Sequence, residues 1–115
     1  GEPIPMYGDG SSERDYTYID DCIEGIVGAL NNQFEFEIFN LGNSETVDLK
    51  SLIDLISDRI GIKPEINQLP DQPGDVPITY ANINKARNML NYSPSTSLED
   101  GVEKFVDWFR SIFSN

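Results

Sequence analysis

The sequence has no histidine, and Cys22 is the single cysteine in 115 residues. Without histidine it lacks the side chain that most often serves as general base and metal ligand near neutral pH. One thiol and no imidazole leave no ligand set for zinc, so no metal is expected, and no internal disulfide can form. A lone cysteine fits a reducing, cytoplasmic setting. No apolar run approaches the ~20 residues that span a bilayer. Gly1 to Gly10 carries acid, proline and glycine where a secretory signal would carry base and leucine. The opening Gly1-Glu2-Pro3-Ile4-Pro5 has no initiator methionine, so the chain is expected to be an excised piece.

Positive charge is also scarce. Eight Lys and Arg stand against twenty Asp and Glu, for a net charge of −12. A polyanion repels nucleic acid and anionic membrane, so neither is expected as a partner. A nucleotide would need local donors to oppose that field. The acid excess can equally be a solubilising surface.

What is present reads as one small domain of mixed α and β elements, large enough to bury about 65% of its unfolded surface. Ile4-Pro5-Met6-Tyr7 predicts an edge strand, followed by a turn over Gly8 to Ser12. Ile19, Cys22, Ile23, Ile26, Val27 and Leu30 recur at helical spacing, with Asp20 or Asp21 as cap and Glu24 completing a capping box. In that stripe Cys22 reads as a buried small hydrophobe, not a nucleophile. Phe36 to Leu41 predicts a strand with Phe36, Ile38 and Asn40 on one face. A second helix is expected from about Leu49 to Ile60, capped by Asp48 and stopped by Gly61.

Pro64 to Leu69 predicts a short strand and Pro70 to Pro77 a loop. A short helix comes next, over about Ile83 to Leu90. The last helix begins after Thr96 or Ser97, with Leu98, Val102, Phe105, Val106, Phe109, Ile112 and Phe113 as its buried stripe. Trp108 breaks its polar face and can pack on an absent neighbour or shield the helix. The expected fold is α+β, about four helices and a few short strands, with pieces too few and too short for a doubly wound sheet.

Three places can carry recognition chemistry. Arg14, in a turn between an extended segment and a helix, can hold a phosphate with two parallel hydrogen bonds, or can be a surface residue paired with Asp15 or Glu13. Asp71-Gln72-Pro73-Gly74-Asp75 offers a carboxylate and an amide on a proline-stiffened loop that could bind sugar hydroxyls. The same loop can be a plain turn with Asp75 bonded to its own backbone. Tyr7 can stack on a planar ring or belong to the core. Asp20-Asp21 is explained by helix capping without a metal. Gly25 and Gly28 lie inside a helix stripe, so there is no dinucleotide-binding loop. Tyr80 has Asn84 four places on and Lys85 five, so no Tyr-X-X-X-Lys pair exists and no catalytic residue is assigned.

The ordered set Pro3-Ile-Pro-Met-Tyr-Gly-Asp-Gly10, Arg14-Asp-Tyr-Thr-Tyr-Ile-Asp-Asp21, Phe39-Asn-Leu-Gly42 and Gln72-Pro-Gly-Asp-Val-Pro77 with Thr79-Tyr-Ala81 covers nearly the whole chain. It resembles the C-terminal part of NAD-dependent nucleotide-sugar epimerases and dehydratases of the extended short-chain dehydrogenase/reductase superfamily. The Gln-Pro-Gly-Asp-Val-Pro form looks most like UDP-glucuronate 4-epimerases; Gln72 stands where UDP-glucose 4-epimerases usually carry Arg.

The resemblance implies a UDP-sugar-binding region of which this chain is 1–115, with Tyr7 lining the uracil pocket, Arg14 on the diphosphate, Asp75 on the ribose and Gln72 beside the nucleotide in a changed role. It implies that NAD and the Tyr-Lys pair belong to an N-terminal Rossmann domain, absent here, and that the parent is a homodimer. The alternatives are a dehydratase or reductase of the same superfamily, or a free-standing binding module.

Overall fold

A computed structural model of the chain describes residues 2–113, and these contain five strands and four helices. The strands are β1 (Ile4–Tyr7), β2 (Glu13–Arg14), β3 (Val47–Asp48), β4 (Ile66–Leu69) and β5 (Ile78–Thr79). The helices are α1 (Ile19–Leu30), α2 (Leu49–Ile60), α3 (Asn84–Leu90) and α4 (Leu98–Phe113). The fold is the expected small mixed one. β1 and β4 form a parallel pair with Ile4 opposite Ile66 and Tyr7 opposite Leu69. β2 is the centre of a second, three-stranded sheet, antiparallel to β3 and parallel to β5.

Helix α2 forms where its local signals place it. The Asp48 carboxylate accepts from the Ser51 amide at 2.9 Å, and Gly61 closes the helix at φ 74 in the left-handed region. Its amide returns to the Ser57 carbonyl at 2.9 Å.

Helix α1 corrects the sequence reading. Its cap position is Tyr18, which makes no side-chain cap bond. Asp21 is buried instead of capping, and its carboxylate accepts from the amides of Ser95 at 3.2 Å and Thr96 at 3.0 Å. The inward face of α1 is Asp21, Gly25 and Gly28. At Gly25, Leu41 and Tyr92 approach so closely that a Cβ would lie 2.6 Å from Leu41 Cδ2. The apolar stripe faces away: Ile19, Ile23, Ile26, Val27 and Leu30 are exposed, Leu30 at 78%. Cys22 is half-buried, not fully buried as expected.

The segment Phe36 to Leu41 is a second correction. Phe36, Ile38 and Asn40 are all exposed, as is Glu37 between them, while Phe39 and Leu41 pack inward on the core. Only its second half alternates, among the described residues no strand lies beside it to complete a ladder, and it is not a strand.

The core gathers Ile83, Ala86 and Tyr92, with Phe39, Leu41, Ala81 and Leu90 against them. A smaller buried set, Val102 and Val106, lies on α4. The expected buried stripe of α4 is thus only partly buried: Phe105, Phe109, Ile112 and Phe113 are about half exposed or more, as is Trp108. The molecule is a slab 49 × 39 × 18 Å with a radius of gyration of 16.8 Å. A compact domain of this length has about 13 Å. The accessible surface is 8412 Å², where a free-standing monomer of this mass exposes about 6,300 Å². Some 2,000 Å² more than expected is therefore open, much of it apolar.

Candidate functional site

The parallel register of β1 and β4 sends both chains out at the same edge, where ligand crevices form at the carboxyl ends of parallel strands. After Tyr7 the chain turns through Gly8 at φ 75, held by a 2.9 Å bond from the Gly8 amide to the Leu69 carbonyl. The Asp71 side chain lies against Gly8 on the side where any other residue would carry its Cβ. Between the loops after β1 and β4 opens a cleft of about 300 Å³ lined by Tyr7, Ser11, Ser12, Asp71, Gln72 and Asp75 among others. That size is at the small end of ligand pockets.

Arg14 enters from the neighbouring sheet. The loop after β4 ends in β5, which pairs with β2 so that Arg14 sits opposite Thr79. A bond of 2.8 Å from the Glu13 amide to the Pro77 carbonyl extends the ladder. The Arg14 guanidinium then reaches Asp75, with Nη2 donating to Oδ1 at 2.5 Å, while Nη1 donates to the Glu13 carbonyl at 2.7 Å. It pairs with neither the Glu13 nor the Asp15 carboxylate. Asp75 makes the self-bond of a turn as well: its Oδ1 accepts from the Val76 amide at 3.0 Å. Its own amide donates to the Gln72 carbonyl at 3.1 Å. Tyr7, Gln72 and Asp75 thus line one cleft, and Arg14 joins it through Asp75. Tyr7 is 45% exposed.

The chemistry on offer is recognition. One guanidinium can meet an anion, carboxylates and an amide can meet hydroxyls, and an aromatic ring can meet a flat group. The Ser11 hydroxyl and then the Ser11 amide donate to Asp9 and hold its carboxyl below the usual range. A larger groove of about 630 Å³ runs between α2 and β4, past Ile53, Ile62 and Pro64. It holds none of the four residues singled out by sequence, and no arginine.

Two carboxylates escaped the sequence reading. Asp15 accepts from the amides of Asn43 at 2.8 Å, Ser44 at 2.9 Å and Ala81 at 3.1 Å. Asp21 does the same for Ser95 and Thr96. Burial pushes Asp21 up, but the amides of Ser95 and Thr96, the Thr96 hydroxyl and the Lys104 charge together hold it below the usual carboxylate range. No local signal marks either residue, since their partners lie 28 to 75 positions away.

A family profile described as GDP-mannose 4,6 dehydratase matches residues 1–105. An uncharacterized protein of Methanocaldococcus jannaschii is 43% identical over 95% of this chain and 33% of its own length. UDP-glucuronate 4-epimerase 1 of Arabidopsis thaliana is 37% identical over 98% of this chain and 30% of its own length. Among solved structures, a Bacillus cereus UDP-glucuronic acid 4-epimerase in complex with UDP-glucuronic acid and NAD superposes with a TM-score of 0.88. It is 37% identical, over 97% of this chain and 36% of that one. The chain spans about a third of the length of the relatives it matches.

Proposed function

Because the chain belongs to the GDP-mannose 4,6 dehydratase family, as the C-terminal part of an extended short-chain dehydrogenase/reductase epimerase or dehydratase, we propose that it is the UDP-sugar-binding part of an NAD-dependent 4-epimerase acting on UDP-glucuronate. The observation that carries this reading is that Tyr7, Gln72 and Asp75 line one cleft, to which Arg14 is tied by its ion pair with Asp75. Tyr7 stacks on the uracil, Arg14 holds the diphosphate, Asp75 takes the ribose hydroxyls, and Gln72 lies beside the nucleotide. The relatives named for UDP-glucuronate epimerisation support that sugar.

The described residues do not fit NAD. Gly25 and Gly28 are inside α1, packed against Leu41, Tyr92 and Leu90, and make no strand-to-helix phosphate loop. The oxidation and return of hydride therefore rest on a further, N-terminal Rossmann domain with its Tyr-Lys pair, and this chain orients the substrate for it. The outward apolar face of α1, and the exposed Phe36 and Ile38, support a large covering partner, since monomers rarely leave so much apolar area open. A free-standing module would have to keep that area in water. The assembled enzyme is a cytoplasmic homodimer in this reading.

The test is turnover by the full-length protein. Conversion of UDP-glucuronate to UDP-galacturonate is expected; action on a different nucleotide sugar alone would sink the substrate assignment. Loss of water instead of epimerisation would favour the dehydratase reading, which the family description supports.

A further inference from the structure

We infer that Asp15 is a positioning residue for the anion-binding side chain Arg14, an inference that rests on the UDP-sugar reading above. Arg14 sits on a strand of two residues, and each of its ladder partners is also two residues long. So short a ladder fixes the backbone at Arg14 poorly. The very next side chain, Asp15, is a carboxylate that gathers three amides from two remote segments: Asn43 and Ser44 from one, Ala81 from the other. Ala81 comes two residues after Thr79, the ladder partner of Arg14. The same knot is tightened by the Ser44 hydroxyl, which donates to the Ala81 carbonyl at 2.7 Å, and by the buried Tyr92 hydroxyl, which donates to the Gly42 carbonyl at 2.9 Å. Gly42 leaves room for it: a Cβ there would lie 2.7 Å from Asp15 Oδ2 and 2.5 Å from the Ala81 Cβ.

Successive side chains of an extended segment point to opposite sides. Arg14 reaches Asp75, which lines the cleft, while Asp15 turns to the amides of Asn43, Ser44 and Ala81. A carboxylate suits this place because it has only acceptors, so several amides can converge on it. An amide side chain at 15 would turn a donor toward at least one of those three N–H groups. The guanidinium fork needs a fixed origin to meet a diphosphate with parallel bonds, and Asp15 supplies that origin without touching the ligand.

A double-mutant cycle in the full-length protein tests this, with UDP affinity as the readout. Asp15→Asn is expected to weaken UDP binding about tenfold, the scale of one charge-assisted hydrogen bond, and to raise KM for the UDP-sugar far more than it lowers kcat. In an Arg14→Ala background the same change should add little. Equal losses in both backgrounds, or parallel losses in kcat and folded fraction, would overturn the positioning role. If Asp15→Asn does not fold, Ser44→Ala loosens the same knot through the Ala81 carbonyl and must show the same coupling to Arg14→Ala at smaller size. An unaltered protein that does not bind UDP, or an Arg14→Ala protein that binds it normally, overturns the site reading itself. Normal UDP binding by Asp15→Asn beside a weakened Arg14→Ala removes the Asp15 assignment alone.

Discussion

Arg14 and Asp75, 61 positions apart in sequence, share an ion pair at 2.5 Å, and Asp75 lines the cleft. Their side chains are 29% and 52% exposed, so the pair is partly solvated and adds little to stability. Under the proposed reading it exchanges partners at low cost, the guanidinium passing from the carboxylate to a phosphate.

Arg14→Ala in the full-length protein should therefore weaken UDP binding by roughly 10- to 100-fold, from the loss of charge-assisted bonds, with the melting temperature nearly unchanged. Arg14→Lys should recover only part of it, because an ammonium cannot make two parallel bonds. Calorimetric titration with UDP checks both. Unchanged affinity in Arg14→Ala would remove the anion-binding role.

Gly42→Ala should destabilise the protein by about 1–3 kcal/mol through overpacking against Ala81 and Asp15. Urea unfolding reads the shift. A neutral result would mean that the Asp15 knot yields easily.

The depressed titration of Asp21 gives an acid limb to stability. A carboxylate with a lowered folded pKa stabilises above its unfolded value, 3.8 for a free aspartate, and that contribution disappears as pH falls through the folded value. Thermal melts from neutral pH downward should lose stability below about pH 4. Asp21→Asn should be less stable at neutral pH and show a shallower acid slope. An identical slope in the variant would place the effect on other carboxylates.

At the alkaline end the hydroxyl of Tyr92 is pushed up to about 12 by burial first, then by the charges of Asp21, Cys22 and Asp15. A raised folded value means that the neutral phenol is favoured in the fold. Its contribution is complete below the ordinary value of 10.0 and is lost as pH rises toward 12. Spectrophotometric titration should show one tyrosine ionising about two units late, and Tyr92→Phe should remove it.

Ile23→Ser combined with Ile26→Ser probes the open face of α1. In the 115-residue chain alone, stability should change by less than about 0.5 kcal/mol, because both side chains already meet water. In the full-length protein the same pair should cost several kcal/mol if a neighbouring domain covers them. Equal effects in both settings would argue against a covering domain.

The features legible in sequence are those whose causes are local. Helix α2 carries its cap at Asp48 and its stop at Gly61 within its own residues, and these set its bounds. Phe36, Ile38 and Asn40 read as one face of a strand, but a strand needs a neighbour, and none lies beside them among the described residues. The apolar period of α1 was legible as well; its direction was not. Three inward positions, Asp21, Gly25 and Gly28, are what Leu41, Tyr92 and Leu90 pack against, and a carboxylate and two glycines do not read as a packing face. Tyr7, Arg14, Gln72 and Asp75 were singled out by residue chemistry and given roles by resemblance, yet what brings Tyr7, Gln72 and Asp75 to one cleft and Arg14 to Asp75 is the pairing of β1 with β4 and of β2 with β5, which no short motif encodes.

That pairing has an evolutionary consequence. The two segments bounding the cleft leave the same edge of a two-stranded ribbon, and residues 71 to 80 of the second are all exposed. Mutations there can be sampled without disturbing Ile83, Ala86 or Tyr92. The scaffold thus decouples the cleft's vocabulary from foldability, and selection can change the residues that line it while the core stays as it is.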